Sequence, residues 1–260
     1  MDQTSEPFRQ IDRDHMLGLE KGLAVIACFD AAHPRLTIAD IARMTGLTRA
    51  TARRCLITLA RIGYAETDGR LFALTPRVLR LGYAYLSSTP LTTILQSALE
   101  RLSEEIGESS SASILDGSEI VYVARAATRR IMSVGLSVGA RLPAFCTSMG
   151  RVLLAALPDE EARRRVEAMP RAPRTGRTVT DADTIMRLLD GIRRDGHAII
   201  DQELEIGLTS IAVPVFDIRG RTLAAINVGT QATRFPPDLL VRDLLPKLKA
   251  VQADLARIVG

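Results

Sequence analysis

The sequence predicts an α+β fold: a small winged helical domain, a linker helix, and a larger domain in which an antiparallel sheet carries helices beside it. Two observations predict it. Residues 37–62 read as a helix, a glycine turn and a second helix, and an Asp-Gly hairpin signal follows directly. Beyond residue 107, hairpin-linked strands follow one another along the chain, which favours antiparallel pairing over parallel strand–helix–strand units.

The first 14 residues are polar and read as a flexible N-terminus. Leu19, Leu23, Val25, Ile26 and Phe29 supply a helix to close a small core. Thr37 is suited to cap a helix at Ile38, since its hydroxyl accepts an orphan backbone N–H. Gly46 offers the positive φ of a tight corner. Thr48 caps the next helix, which runs to Arg61. Ala52, Cys55, Leu56 and Leu59 form its apolar stripe. Ala50, Arg53, Arg54, Ile57 and Arg61 take the other side, with Arg49 near the edge. Four arginines and no acid between Arg49 and Arg61 suit a face that meets phosphates and base edges. Thr67-Asp68-Gly69 turns a hairpin whose second arm begins at Arg70, within reach of a phosphate. The winged helix-turn-helix unit therefore spans residues 15–75.

Thr75-Pro76 starts a linker helix over 76–89, with Thr as cap and Pro as first helical residue. Leu79, Leu81, Tyr83, Tyr85 and Leu86 make it apolar around much of its girth, so it wants partners on more than one side, a dimer seam among them. The second domain, 90–260, opens with an amphipathic helix (Ile94, Leu95, Ala98, Leu99, Leu102, Ile106) stopped by Gly107. Strands are expected at 111–115, 119–125 and 130–138. A helix over 150–157, a surface helix over 159–169 and a capped helix ending at Gly196 precede strands at 197–202, 210–216 and 222–228. One helix over 238–258 ends the chain.

Composition narrows the function classes. A 260-residue chain that is 47% hydrophobic can bury a core in both parts. Aromatics are 4% with no Trp, which argues against a single-strand nucleic-acid platform of stacked rings. A net charge of +4 says little by itself, so the local arginine cluster carries the nucleic-acid reading. Cys28, Cys55 and Cys146 are odd in number and far apart, with no disulfide or zinc spacing, which suits a reducing cytosol. No secretory signal or membrane-length apolar run is visible, so a cytoplasmic location is expected.

Read together, the segments LEKGLAVIACF, LTIADIARMTGLTRATARRCLITLARIGYAE, LPAFCTSMGRVLLA, DQELEIGLTSIAVPVFD and LAAINVGT resemble the IclR family of bacterial transcription regulators, over nearly the whole chain. The stretches TRRIMSVGLSVGARLPAFCTSMGRVLLA and ELEIGLTSIAVPV look most like the branch that controls protocatechuate, 4-hydroxybenzoate and β-ketoadipate catabolism. The resemblance implies a C-terminal GAF-like effector-binding domain, double-stranded operator DNA as partner, and a homodimer or homotetramer. It makes Arg49, Arg53 and Arg54 the DNA contacts, without dividing base readers from phosphate clamps; Thr37, Thr48 and Ala50 of the same motif and Arg70 of the wing complete the candidate DNA-binding set. Many members carry a cysteine where this chain has Ser210, so cysteine-based contacts do not transfer.

A ligand of the second domain has three candidate segments: 142–148, 203–210 and Asn227. Thr147, Ser148 and Met149 lie where a loop opens into a helix, and helix-start N–H groups favour a carboxylate. Ser210 and Asn227 offer neutral hydrogen bonds, and Arg130 or Arg141 would balance an anion if turned inward. An aromatic carboxylate or dicarboxylate is the effector class, and that rests mainly on the resemblance. The ordinary alternatives stay open: Ser148 as a plain cap, Asn227 satisfying backbone, the arginines solvated.

Enzyme readings find little support. Ser148, His197 and Asp201 lack a nucleophile-elbow sequence, and neither a phosphate loop nor a dinucleotide glycine pattern occurs. Asp181 and Asp183 read as capping residues, and Glu203 and Glu205 as a solvent-facing strand edge rather than metal ligands. No catalysis, cofactor or metal is expected. The alternative from another class is a small-molecule-binding or assembly protein with a vestigial helix-turn-helix.

Overall fold

The computed structural model describes residues 15–88, 90–128 and 136–258. The expected flexible N-terminus, Arg130 and most of the strand expected over 130–138 lie outside the described residues. The chain divides into two compact units between Ala84 and Tyr85.

In the first unit, helices α1 (Leu17–Ile26), α2 (Ile38–Thr45) and α3 (Arg49–Arg61) precede a hairpin of β1 (Ala65–Thr67) and β2 (Phe72–Leu74). Thr37 caps α2 in a reciprocal box: its hydroxyl accepts the Asp40 N–H, and the Asp40 carboxylate accepts the Thr37 N–H. Gly46 closes α2 at φ 70°, where a side chain would be strained. Thr48 caps α3 by accepting the Thr51 N–H. Leu36 bridges to Phe72, so the wing is stitched to the start of the helix-turn-helix. Val25, Leu36, Ile41, Ala52, Leu56, Leu59 and Phe72 make the buried core.

One expectation fails here. Leu19 and Leu23 do not close this core; they are 60% and 51% exposed, while Val25 is fully buried. At 3.6 residues per turn, positions two and six residues before Val25 fall on the far side of the helix. Helix α4 (Leu79–Ser88), entered through a 3₁₀ turn at Pro76–Val78, also presents Leu79, Leu81, Tyr83 and Tyr85 outward.

The second unit begins with α5 (Pro90–Ile106). It continues through β3 (Ser109–Asp116), β4 (Glu119–Ala126), β5 (Arg141–Pro143), α6 (Ser148–Ala155), α7 (Asp159–Ala168), α8 (Ala182–Asp195), β6 (Ala198–Asp201), β7 (Leu208–Phe216) and β8 (Thr222–Gln231). It ends with α9 (Pro237–Leu239) and α10 (Leu245–Ile258). Six antiparallel strands lie in the order β5-β4-β3-β8-β7-β6. The fold is α+β, as the sequence indicates. One face of the sheet packs Ala112, Val123, Ile211, Val213 and Ile226 against Leu95, Leu99, Leu102 of α5 and Leu248, Leu255 of α10. The other packs Ile120, Tyr122, Ala212 and Ala225 against α6, α7 and α8.

Three details depart from the sequence reading. The edge strand β5 pairs Val121 with Arg141 and Glu119 with Pro143, in a stretch expected to be loop. The C-terminal helix is not continuous: a π turn spans Leu240–Leu244, just before Pro246. Proline lacks the N–H that would bond four residues back, and its ring crowds that carbonyl, so the turn widens. In β4, Ser113 pairs with Tyr122 but Ala112 with Ala124, leaving Val123 as an extra residue, a β-bulge.

Candidate functional site

The first site is the outer face of α3. Ala52, Leu56 and Leu59 hold the helix to the core, which turns Arg49, Ala50, Arg53 and Arg54 to solvent. Two other arginines of this unit meet acids: Arg43 meets Asp40 at 3.1 Å and Arg35 meets Asp68 at 3.6 Å. The four arginines of α3 have no ion-pair partner among the described residues, so their charge is available to an external anion. Arg70 stands exposed at the wing, where Asp68 accepts its backbone N–H at 2.9 Å and fixes the turn. Thr37 and Thr48 have a different part: their hydroxyls are committed to the starts of α2 and α3, so they set the angle of the reading helix.

Beside that face lies a groove of about 620 Å³ lined by Leu19, Leu23 and Ile26 of α1, Cys55 and Leu59 of α3, and Leu81 of α4. Arg54 and Lys21 are also part of its lining. It is apolar and formed by the same leucines that fail to enter the core.

The second site is a cavity in the second unit, between the sheet and the start of α6. Its lining brings together Thr147, Ser148, Met149, Ser210 and Asn227, which the sequence nominated, with Ser109, Ser111, Tyr122 and Arg125, which it did not. The cavity holds about 40 Å³. At roughly 10–15 Å³ per water-sized sphere, it admits about three such groups.

Each polar group has a definite state. Thr147 caps α6 by accepting the Gly150 N–H at 3.2 Å. Gly150 itself is required, because a Cβ there would lie 2.2 Å from the Ala144 carbonyl oxygen. Ser148 and Ser210 share a hydrogen bond of 2.9 Å between their hydroxyls. Met149 Sδ accepts the Ser113 hydroxyl at 3.3 Å. Asn227 Oδ1 is buried with no partner among the described residues. Burial pushes the Cys146 thiol up to about 11 and the Tyr122 phenol up to about 12, so both are neutral near pH 7.

Arg125 enters the cavity wall because of the bulge. Strict alternation would put Tyr122 and Arg125 on opposite faces of β4; the extra residue Val123 brings both to the same face. Arg125 Nη1 donates to Ser111 Oγ at 3.1 Å. Arg141, by contrast, is removed from the site. It lies on the surface in ion pairs with Asp116 at 2.8 Å and Glu119 at 2.7 Å, since β5 pairs beside the β3–β4 turn that carries both acids.

Glu203 is the other correction. It is not solvent-facing but 7% exposed, and its carboxylate takes two 2.7 Å hydrogen bonds from the Arg151 guanidinium. Asp181 does cap its helix, accepting the Thr184 N–H at 2.7 Å. The nominated serine triad is not assembled: Ser148 bonds Ser210, and His197 Nδ1 meets the Asp195 carbonyl at 3.1 Å. Among the described residues there is no metal-binding cluster and no helix long and apolar enough to cross a membrane.

The chain matches the IclR helix-turn-helix domain over residues 18–69 and the C-terminal domain of bacterial transcriptional regulator IclR over residues 83–257. It belongs to the IclR family. The Pca regulon regulatory protein of Pseudomonas putida is 47% identical to it, over 94% of this chain and 84% of that protein. The p-hydroxybenzoate hydroxylase transcriptional activator of Acinetobacter baylyi is 38% identical, over 98% and 96%. An IclR homolog of Microbacterium hydrocarbonoxydans, solved in complex with 4-hydroxybenzoate, superimposes with a TM-score of 0.75 at 26% identity, covering 92% of this chain and 98% of that one. As an IclR-type transcriptional regulator, the chain carries a helix-turn-helix DNA-binding domain whose second helix is α3. The sheet domain with its cavity is the effector-binding domain.

Proposed function

We propose that this IclR-type regulator acts in the cytoplasm and controls the breakdown of aromatic acids, with an aromatic carboxylate as effector. The carrying observation is the cavity: it gathers an arginine, a helix start and neutral hydroxyl and amide groups in one enclosed place, and relatives named for the pca regulon and for p-hydroxybenzoate hydroxylase cover nearly the whole chain. The winged unit covers 15–75, the linker 76–89 and the effector domain 90–260. Arg49, Ala50, Arg53, Arg54 and Arg70 meet operator DNA, while Thr37 and Thr48 hold the helices that present them. Thr147, Ser148, Met149, Ser210, Asn227 and Arg125 surround the effector.

A benzoate-sized molecule exceeds this cavity, so its entry requires the wall to rearrange. Binding and rearrangement are then one event, and an acid that prefers the opened wall shifts the population toward that state. The α1–α3–α4 groove is the seam of a homodimer, which lets two recognition helices address two half-sites of one operator.

A thermal-shift series tests the effector class. A ligand that binds only the native state raises its apparent stability by mass action. 4-Hydroxybenzoate or protocatechuate is expected to raise Tm of the full chain. If neither does, and the non-aromatic β-ketoadipate does, the aromatic reading is wrong.

A further inference from the structure

We propose that Gln96 carries the state of the effector cavity to the linker helix α4, as a positioning residue that acts through the backbone of Arg125. This rests on the effector reading above and adds to it the route by which an acid in the cavity is felt outside the sheet.

Gln96 of α5 grips β4 with both ends of its amide. Arg125 N–H donates to Gln96 Oε1 at 3.0 Å, and the Arg125 carbonyl accepts from Gln96 Nε2 at 3.1 Å. These are the groups that would face a further strand. Arg125 pairs with Ser111 of β3 on its other side, and β5 pairs only with residues 119–121. One side chain thus stands in for a strand at the margin of the sheet. Its orientation is fixed by Glu100 Oε1, which also accepts from Nε2, at 2.8 Å. A flipped amide would set its NH2 against the Arg125 N–H and its oxygen against two acceptors.

The residue so gripped is the one an acid acts on. Arg125 is the only charged side chain among the described residues that line the cavity. Its Nη1 donates to a neutral acceptor, Ser111 Oγ, at 3.1 Å. A carboxylate is the stronger acceptor for a guanidinium, so an acid in the cavity draws Arg125 from Ser111. The extra residue at Val123 interrupts the β3–β4 ladder two positions earlier, which leaves this stretch of β4 able to follow its side chain.

The other end of the grip leads to the linker. Thr92, Gln96 and Glu100 follow at four-residue steps, so they lie in one row along α5. One turn before Gln96, Thr92 Oγ1 donates to the Leu86 carbonyl at 2.9 Å, near the end of α4. The same row therefore holds the sheet margin at Arg125 and the end of the helix through which the chain leaves the winged unit. Leu95, Leu99 and Leu102 also join α5 to the sheet, but apolar contact is non-directional. The Gln96 amide ties the helix to one residue of β4.

Anisotropy titration of the full chain on its own upstream duplex, with and without 4-hydroxybenzoate, compares the parent with Gln96→Leu. In the parent the acid is expected to shift the midpoint by roughly 5- to 150-fold. Gln96→Leu should still bind the duplex, and still bind 4-hydroxybenzoate by isothermal titration, with the shift abolished. A residue that only covers the sheet margin would lower Tm and leave the shift as it was, and that result overturns the proposal. So does lost 4-hydroxybenzoate binding, which would make Gln96 a builder of the cavity. Hydrogen exchange of the unaltered chain decides the matter if Gln96→Leu does not fold. The acid should change protection at the Arg125 amide and in residues 92–96 together, and protection that does not change at both overturns the proposal. Each of these failures leaves the effector reading intact, whereas a parent whose midpoint 4-hydroxybenzoate does not move removes both.

Discussion

Arg151 and Glu203 face each other through two parallel hydrogen bonds of 2.7 Å, with 3% and 9% of their side chains exposed. Arg151 Nε also donates to the Phe145 carbonyl at 2.8 Å, and Glu203 Oε2 accepts the Val179 N–H at 2.9 Å. One ion pair thus ties the start of α6, the turn after β6 and the approach to α8, three segments around the effector cavity. Removing one member leaves a buried charge alone, which costs about 3–5 kcal/mol, whereas replacing both by apolar groups is often near neutral. Arg151→Met and Glu203→Leu are each expected to lose that much in urea unfolding, and the double variant to recover most of it. Single variants that behave like surface changes would show that the pair does not hold these segments.

The recognition helix makes a separable prediction. Arg53→Ala and Arg54→Ala leave the packed stripe of Ala52, Leu56 and Leu59 untouched, so Tm should stay within about 1 °C of the parent, as for surface changes. Operator affinity should fall. A lost phosphate contact lowers the salt-dependence slope by about 0.9 and weakens all sequences alike. A lost bidentate contact to guanine costs roughly 1–3 kcal/mol at one base position only. Anisotropy titrations at several salt concentrations separate the two, and undiminished affinity in both variants would remove these arginines from the interface.

Much of this was legible in the chain before the structure. Thr37 and Thr48 as caps, Gly46 as the corner, and the arginine face of α3 follow from local rules of capping and periodicity. Thr147, Ser148 and Asn227 were legible as a group because a helix start and two strands converge there. Arg125 was not, because a bulge at Val123 breaks the alternation on which face assignment depends. Arg141 was misplaced for a related reason: nothing local marks β5 as a strand pairing beside Asp116 and Glu119. Glu203 looked like a surface acid since its partner Arg151 lies 52 residues away in sequence. Leu19 and Leu23 counted as core because apolar spacing does not tell a buried face from one left at the surface.

That last point yields a test of assembly. Leu23 is 51% exposed on the groove wall, so Leu23→Glu should leave the fold of one chain intact while placing a charge in the proposed seam. Sedimentation velocity is expected to show a dimer or larger species for the parent and a shift to monomer for the variant. Unchanged mass would place the seam elsewhere.

Burial of Tyr122 predicts a pH effect with a definite sign. The phenol is pushed from 10.0 up to about 12 in the folded chain. The unfolded chain therefore sheds this proton first. The contribution is complete below pH 10 and is lost as pH rises through about 12. Its size is on the order of 2 kcal/mol. Urea unfolding of Tyr122→Phe, which has no proton to lose, should show a shallower decline in stability above pH 10 than the parent. Equal slopes would mean the phenol is not sequestered.

The most direct measurement is an anisotropy titration of the full chain on its own upstream duplex, at low salt, with and without saturating 4-hydroxybenzoate. Binding is expected, and the acid should shift the midpoint by roughly 5- to 150-fold in either direction, the usual range of coupling between two sites. No binding at low ionic strength, or a midpoint that no aromatic acid moves, would contradict a regulator whose DNA-reading helix answers to the cavity behind Asn227.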